Sequence, residues 1–431
     1  MKKIILVFFA FYSFSYSQTG WQLQTNSLTR NIVSIYVLQN GYGYSLGDNG
    51  FIFRTTNFGI NWVQYSQFPA LSDNSAYCIT AVNNDTLVAT QGSEILRSVN
   101  GGLNWSYVSS GGVMTYTYFY SVSFGNKRRG FACGVELIPP PPPPPPLPYT
   151  ANTIVHCTSD GGTNWTRISV TSGDVLYSCK MSDSLTGYTA GTNYYSTNYG
   201  SVFKTTNGGL YFSSISSGVS AVNSIYFINN FTGLAGGNSG FIANTTTGSA
   251  PWIPQVSHSA VKINSIYFVN SMTGWIAGNN GTIRKTVNGG ANWNFQYCPV
   301  GDNLNSICFT DSIHGWIGSN NGKILYTDDA GGLTNLNKVS EDLPDSYLLS
   351  QNYPNPFNPS TKIKYRIKND NFVSIKIFDA LGKEIITLVN KTQKPGIYEI
   401  TFEGSEYPNG IYYCRLTAGI FSETIKMIFL K

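Results

Sequence analysis

The sequence predicts an all-β protein in which a seven-bladed β-propeller is followed by a small Ig-like β-sandwich. The 431 residues include 29 Tyr, 44 Gly and 14% aromatic residues, a composition typical of pleated strands joined by tight turns. One short phrase recurs seven times between residues 54 and 334. The repeat stops and the composition changes after Lys338, which indicates a second domain.

Each repeat carries the signals of four short strands, named A to D here. Strand A is an alternating run such as NSIYF (223–227), and strand B is a glycine-bounded run such as GWIAG (274–278). Strand C leads into the recurring phrase, and strand D begins at the Trp that ends the phrase in most copies. The phrases recur every 40 to 47 residues, apart from one longer interval, and this is the range of propeller repeats. The copies are RTTNFGINW (54–62), RSVNGGLNW (97–105), CTSDGGTNW (157–165), KTTNGGLYF (204–212), NTTTGSAPW (244–252), KTVNGGANW (285–293) and YTDDAGGLT (326–334).

The recurring phrase resembles the Asp box of bacterial neuraminidase repeats, and its residues favour a structural role. An Asn or Asp side chain can accept hydrogen bonds from turn amides, and the Trp can pack beneath the hairpin. Seven copies of a catalytic residue would make no chemical sense. The expected structural residues are Asn57, Trp62, Asn100, Trp105, Asp160, Trp165, Asn207, Asn288 and Trp293.

The two ends of the repeat region predict how the ring closes. The seventh copy lacks the Trp strand, whereas GWQLQ (20–24) stands alone before the first copy and is similar to NWNFQ (292–296). We therefore expect the N-terminal strand to complete the last blade and to cover an otherwise open edge. Residues 18–339 then form the propeller.

The repeats as a whole resemble the photosystem II assembly/stability factor family of propellers over about residues 20–339. Similar repeats occur in sialidase-like, xyloglucanase-like and sortilin-like propellers, so the resemblance implies a fold more than a function. An assembly-chaperone role would rest on fold analogy alone.

The N-terminus has the features of a secretory signal peptide over residues 1–17. Two lysines precede an apolar run from Ile4 to Tyr12, and small residues follow. A membrane anchor is disfavoured because the run is too short to cross about 30 Å of hydrocarbon. The net charge of +5 gives no nucleic-acid footprint, and the seven cysteines lack metal-site spacing. We therefore expect no nucleic-acid partner, no transmembrane segment, no metal and no cofactor.

After a linker at 340–350, residues 351–431 resemble the type A C-terminal sorting domain of type IX secretion. The resemblance rests on NYPNPFNPST (352–361), LGKEI (381–385), PGIY (395–398) and NGIYYCRL (409–416), in that order. It implies recognition by the type IX secretion machinery, export across the outer membrane, and an extracellular or surface-attached product. The expected sorting-signal residues are Pro354, Pro356, Phe357, Gly382, Gly396, Gly410, Lys426 and Lys431.

One sector of the propeller contains the candidate binding residues. A proline-rich insert at 137–150 separates the expected strands B (130–135) and C (152–157) of the third copy, and a long loop at 191–200 follows in the fourth. Tyrosines on stiff loops offer stacking surface at low entropy cost. Alternatively, the prolines are a tolerated low-complexity expansion that the tyrosines cover. The candidate binding residues are Tyr116, Tyr118, Tyr149, Tyr194, Tyr195 and Tyr199.

No catalytic constellation emerges from the sequence, because the acidic residues sit mainly at turns and the three histidines are scattered. The prediction is therefore a secreted or surface-attached, non-enzymatic binding or scaffold protein for a glycan or a protein ligand. The alternative is a secreted glycoside hydrolase of the sialidase-like or xyloglucanase-like propeller type.

Overall fold

The computed structural model describes residues 20–24, 28–69, 75–110, 116–140, 149–170, 173–216, 219–332, 337–340, 346–404 and 407–430. The described chain separates into two compact units, one formed by Gly20–Asn337 and the other beginning at Lys338. The expected signal peptide at 1–17 lies outside the described residues. No helix among the described residues is long and apolar enough to cross a membrane.

The first unit consists of seven four-stranded antiparallel sheets, which are the blades of a propeller. The N-terminal strand is β1 (Gln22–Leu23). Blade 1 comprises β2 (Ile32–Val37), β3 (Gly43–Gly47), β4 (Phe51–Thr55) and β5 (Val63–Gln67). Blade 2 comprises β6 (Ala76–Ala81), β7 (Leu87–Gln91), β8 (Glu94–Ser98) and β9 (Ser106–Ser110). Blade 3 comprises β10 (Tyr116–Phe124), β11 (Gly130–Ile138), β12 (Thr150–Thr158) and β13 (Thr166–Ser169). Blade 4 comprises β14 (Asp174–Met181), β15 (Gly187–Asn193), β16 (Ser196–Thr205) and β17 (Ser213–Ser214).

The remaining blades follow the same pattern. Blade 5 comprises β18 (Val222–Phe227), β19 (Gly233–Gly237), β20 (Ile242–Thr245) and β21 (Ile253–Gln255). Blade 6 comprises β22 (Ile263–Phe268), β23 (Gly274–Gly278), β24 (Thr282–Thr286) and β25 (Asn294–Gln296). Blade 7 comprises β26 (Leu304–Phe309), β27 (Gly315–Ser319) and β28 (Ile324–Thr327), together with β1. Single 3-10 turns at Asn238–Gly240 and Asn320–Gly322 join strands B and C of blades 5 and 7.

The predicted ring closure is confirmed. Strand β1 pairs antiparallel with β28, so that Gln22 faces Tyr326 and Leu23 faces Leu325. Trp21 is 3% exposed, and its indole N–H donates to Gln296 Oε1 of blade 6 at 2.9 Å. The first residues of the unit therefore fill the position that a Trp strand occupies in the other blades.

The core of this unit lies between adjacent blades. Trp275 of blade 6 stacks on Phe309 of blade 7 with ring centroids 3.8 Å apart, and both side chains are buried. Because strand A is the innermost strand of each blade, loops D–A and B–C lie on one face of the ring, named the B–C face here. Turns A–B and C–D lie on the opposite face, named the A–B face.

Blades 3 and 4 differ from the sequence expectation. Strand β11 extends to Ile138 and β12 begins at Thr150, so only the first two residues and the last residue of the expected insert belong to the sheet. Its proline stretch at 141–148 lies outside the described residues. The loop expected at 191–200 is wrong, because β15 and β16 run through this segment to a tight turn at Tyr194 and Tyr195. The pairing shifts register there: Asn193 faces Ser196, whereas Thr192 faces Gly200, so residues 197–199 form a bulge on β16.

The C-terminal unit contains two four-stranded sheets, ordered β29-β34-β31-β30 and β33-β32-β35-β36. Ile363, Tyr365 and Ile367 of β31 are buried, and the intervening side chains are exposed, which is the pattern of a sheet with one covered face. The strands are β29 (Asn337–Ser340), β30 (Leu348–Leu349), β31 (Ser360–Ile367), β32 (Asn371–Phe378), β33 (Glu384–Gln393), β34 (Gly396–Glu403), β35 (Gly410–Ala418) and β36 (Phe421–Phe429).

Candidate functional site

The turns between strands C and D are held by their own side chains. In blade 1, Thr55 Oγ1 accepts a hydrogen bond from the Gly59 N–H at 2.8 Å, and Asn57 Oδ1 accepts one from the Asn61 N–H at 3.1 Å. Side-chain oxygens in this position satisfy turn amides that no strand pairs. The same Asn or Asp acceptor contact occurs at Asn100, Asp160, Asn207 and Asn288. The Trp that follows is buried at Trp62, Trp105 and Trp293 and half-buried at Trp165.

Basic residues on strand C connect neighbouring blades. Arg97 Nε donates to the Gly161 carbonyl of blade 3 at 3.0 Å, and Lys204 Nζ donates to the Gly248 carbonyl of blade 5 at 2.9 Å. Within blade 6, Lys285 Nζ lies 5.3 Å from the Trp275 ring centroid, and burial lowers the pKa of this lysine to about 8. The Arg97 and Lys204 contacts hold blades together, and none of the three is directed at a ligand.

Hydroxyl groups link the inner strands of neighbouring blades. Positions of strand A are counted here from the residue before its bulge, so that position 1 is Ile32, Ala76, Phe119, Leu176, Val222, Ile263 and Leu304 in blades 1 to 7. A Ser at the third position accepts a hydrogen bond from the strand A amide of the next blade at five of the seven junctions, with distances of 3.1 to 3.2 Å. The contact from the Ile35 N–H to Ser306 Oγ joins blade 1 to blade 7. Because strand A has no fifth strand beside it, these hydroxyls satisfy amides that would otherwise be unpaired.

The second position of strand A divides the channel mouth on the B–C face into two sides. In blades 5, 6 and 7 this position is Asn223, Asn264 or Asn305, and each amide nitrogen donates to an Asn of its own B–C turn at 2.8 to 2.9 Å. In blades 2, 3 and 4 the position is Tyr77, Tyr120 or Tyr177. Blade 1 has Val33 at this position, so the mouth has an amide-lined side and an aromatic side with one valine between them.

The three tyrosines form a continuous row, named the tyrosine arc here. The ring centroids of Tyr77 and Tyr120 are 4.8 Å apart at 75°, and those of Tyr120 and Tyr177 are 5.2 Å apart at 50°. Tyr118 stacks on Tyr120 with centroids 6.1 Å apart. Tyr177 is 36% exposed. The arc therefore presents connected ring surface beside the channel.

The long strands of blades 3 and 4 place four exposed tyrosines on the same face. This group, named the tyrosine rib here, consists of Tyr116, Tyr149, Tyr195 and Tyr199. Tyr116 packs edge-on against Tyr149 with centroids 5.7 Å apart, and both are exposed. Tyr195 packs edge-on against Tyr194, and its hydroxyl accepts from the Ala151 N–H of blade 3 at 3.3 Å. Tyr199 is 70% exposed on β16. Tyr118 and Tyr194 are half-buried beneath the rib, so of the sequence-predicted set the exposed members are Tyr116, Tyr149, Tyr195 and Tyr199.

The acidic side chains near the tyrosine rib are engaged by polar partners. Glu136 is 6% exposed and accepts two hydrogen bonds from Arg167, at 2.6 and 3.1 Å, and a third from the Asn152 amide. Asp174 is buried and accepts from Asn193 Nδ2 at 3.0 Å. Neither carboxylate is placed to act as an acid or base on a molecule at the surface. Among the described residues, no group of three or more His, Cys, Asp or Glu side chains could hold a metal ion.

Sequence reasoning missed the tyrosine arc. Tyr77, Tyr120 and Tyr177 stand in three different repeats. Their shared position is visible in the sequence only when the inner strands are aligned by their bulge. The register shift in β10 occurs between Phe119 and Ser121, which makes Tyr120 the bulged residue, and the shifts in β6 and β14 do the same for Tyr77 and Tyr177. A bulge re-aims a side chain, so the aligned position decides what faces the channel.

The sorting-signal residues are distributed over the C-terminal unit. Phe357 is 2% exposed and packs against Phe402 and Phe429, with centroids 5.8 and 5.0 Å apart. The Pro354 carbonyl accepts from Thr361 Oγ1 at 2.7 Å. Gly382 occupies a turn at φ +83, whereas Gly396 and Gly410 begin strands. Pro356 precedes Phe357, Lys426 is exposed on β36, and Lys431 lies outside the described residues.

Family comparison identifies the C-terminal unit. Residues 351–430 match the model of the secretion system C-terminal sorting domain. This stretch is a type IX sorting domain. Through it the chain engages the secretion machinery and is exported across the outer membrane to the cell surface or the extracellular space. Residues 243–353 match the model of the photosynthesis system II assembly factor YCF48. The resemblances to the photosystem II assembly/stability factor family and to the type IX sorting domain are therefore confirmed.

Comparison with solved structures shows the propeller fold. YCF48 from Cyanidioschyzon merolae has a TM-score of 0.54 at 17% identity, covering 72% of this chain and 98% of that chain. A YCF48 bound to D1 peptide has a TM-score of 0.55 at 15% identity, with the same coverage. The WD40 repeats of RRP9 have a TM-score of 0.57 at 11% identity, covering 72% and 97%. A search of curated proteins gave no match.

Proposed function

We propose that this exported propeller is a non-enzymatic binding protein that holds a neutral polysaccharide on the tyrosine arc and the tyrosine rib. The observation that carries the proposal is the row of Tyr77, Tyr120 and Tyr177, whose rings touch across three blades beside the channel mouth. Four other blades place Asn or Val at the same position. The aromatic surface is therefore confined to the sector that the tyrosine rib also occupies.

The chemistry of the sector favours a neutral sugar polymer. Sugar rings have an apolar face and hydroxyl edges, which suit phenol rings that carry their own hydroxyl groups. Glu136 is paired with Arg167, and Asp174 is buried and hydrogen-bonded to Asn193, so neither carboxylate is presented to a ligand. A Tyr side chain has few rotatable bonds, and binding therefore costs little conformational entropy. Export to the outside of the cell brings this surface into contact with extracellular polymers.

A protein ligand is the second candidate, and one observation supports it. A propeller of similar fold is known in a complex with a peptide, namely the YCF48 bound to D1 peptide. Extended peptides also use aromatic side chains for anchoring. The experiment below separates the two ligand classes.

Affinity electrophoresis of the full chain through gels containing neutral polysaccharides tests the proposal. Tyr177→Ala and Tyr116→Ala each remove ring surface, and we expect each to weaken binding about tenfold, or about 1.4 kcal/mol. Tyr211→Ala is the matched control, because Tyr211 is 68% exposed but lies in a C–D turn on the opposite face. The control should migrate like the unmodified chain.

Two results would overturn the proposal. Retardation that survives both tyrosine substitutions would place the polysaccharide elsewhere. Absence of retardation in every neutral polysaccharide, together with tyrosine-dependent capture of the chain by an immobilised peptide library, would assign the surface to a protein ligand.

A further inference from the structure

The fifth position of strand A lines the channel near the A–B face. Tyr226 and Tyr267 show its direction, since their hydroxyls donate to the Phe268 and Phe309 carbonyls of the next blade at 2.9 and 2.8 Å. Side chains at this position therefore reach along the inner edge of the ring. In chain order the position holds Tyr36, Thr80, Ser123, Lys180, Tyr226, Tyr267 and Cys308.

Lys180 is a cation at this position without an acidic partner. Its ammonium lies 4.7 Å from the ring centroid of Tyr226, and no ion pair among the described residues includes it. Asp174, the other charged residue of the seven A strands, begins β14 at the opposite end of the strand and is bonded to Asn193. The Lys180 side chain is half-buried, and the ring face offsets part of the cost of removing its ammonium group from water.

An open cavity of about 510 Å³ lies beside this wall of the channel. Tyr267 lines the cavity, and its ring centroid is 5.3 Å from that of Tyr226, which in turn carries Lys180. The volume is typical of a pocket for a small molecule. The lining combines rings with uncharged polar groups: Tyr36, Phe309, Gln39, Asn40, Asn84 and Thr310.

We propose that the A–B end of the channel is a second binding site, which takes a hexuronic acid unit. The carboxylate would pair with Lys180, the sugar ring would lie against Tyr226 and Tyr267, and its hydroxyls would meet the amides of the A–B turns. A single lysine matches the single charge of a carboxylate, whereas a phosphate dianion would retain excess charge. An apolar ring that also carries hydroxyls matches a cavity lined by both aromatic and amide groups.

This site is independent of the tyrosine arc. The arc occupies the second position of strand A at the B–C face, and Lys180 occupies the fifth position toward the other face. Among the described residues, no side chain assigned to one site is also assigned to the other. Loss of polysaccharide binding through Tyr177 therefore leaves the hexuronate proposal standing, and the converse also holds.

Isothermal titration of the full chain with D-galacturonate tests the inference. D-galactose and N-acetylalanine are the matched probes, since the first lacks the carboxylate and the second lacks the sugar ring. We expect galacturonate to bind at least tenfold more tightly than either probe. Lys180→Met should weaken galacturonate binding at least tenfold, and Lys180→Arg should retain it. Lys127→Met, at an exposed A–B turn of blade 3, should bind like the unmodified chain.

Asn84→Asp provides a test that does not alter the inner strands. Asn84 is exposed and lines the cavity, so a new carboxylate there should repel galacturonate and weaken its binding. Equal affinity for galactose would overturn the carboxylate assignment, and equal affinity for N-acetylalanine would overturn the sugar assignment. Absence of galacturonate binding, or binding that neither Lys180→Met nor Asn84→Asp changes, would overturn the site itself.

Discussion

Replacement of Trp21 by Ala should destabilise the whole propeller, although this residue precedes the first of the seven repeats. Trp21 is 3% exposed and packs edge-on against Phe309, with ring centroids 5.8 Å apart. Its indole N–H donates to Gln296, which also donates to the Ala330 carbonyl. The side chain therefore joins the N-terminal strand to blades 6 and 7.

The expected loss follows from these contacts. Truncation of a buried Trp to Ala typically costs about 3 to 5 kcal/mol. The lost hydrogen bond leaves a buried Gln296 oxygen without its donor, which adds about 1 to 3 kcal/mol. Since the two terms overlap, we expect the free energy of unfolding to fall by about 5 kcal/mol. Leu23→Ala is the matched control in the same strand, because Leu23 is 48% exposed and should contribute less than about 1 kcal/mol.

Urea denaturation followed by tryptophan fluorescence and by far-ultraviolet circular dichroism measures both losses on the full chain. Because Trp21 joins the N-terminal strand to blades 6 and 7, Trp21→Ala should shift the transition of the seven-bladed unit far more than Leu23→Ala. Losses below about 1 kcal/mol for both variants would show that the N-terminal strand is dispensable, and the reasoning from burial would then be wrong.

Three further predictions concern titration and thiol chemistry. Burial and the nearby Arg167 charge lower the pKa of His156 to about 4, so as the pH falls the unfolded chain takes up the proton before the folded chain does. The free energy of unfolding should therefore fall by up to about 3 kcal/mol as the pH drops from 6.5 to 4. In His156→Gln, the urea midpoint should lack this dependence on pH. Burial also lowers the pKa of Lys285 to about 8, so stability should rise with pH between about 8 and 10.5, and Lys285→Met should abolish that rise in the same measurement. Cys157 and Cys414 are free and buried, and burial raises the pKa of each thiol to about 12. A thiol reagent at pH 8 should therefore modify them only after denaturation. Rapid reaction in the native chain would contradict their burial.

The sequence predicted the repeat count, the four-strand unit and the closure, because each depends on local pattern. The Trp and Gly spacing of a repeat is readable within about ten residues, and the orphan Trp21 matched the strand that blade 7 lacks. The loop expected at 191–200 was wrong, since polar residues alternating with tyrosines are compatible with paired strands as well as with a loop. The tyrosine rib was only partly predicted, because the half-burial of Tyr118 and Tyr194 depends on packing against other strands.

From its sequence alone this chain is a propeller with a sorting domain, and that much depends on contacts within a repeat or a short motif. Only the tertiary structure decided which side chains face the channel together. Tyr77 and Tyr120 are 43 residues apart along the chain, and Tyr120 and Tyr177 are 57 apart. Lys180 and Tyr226 are 46 residues apart. They meet because ring closure brings the first strand of each blade beside that of the next, and because a bulge in that strand determines which positions point inward.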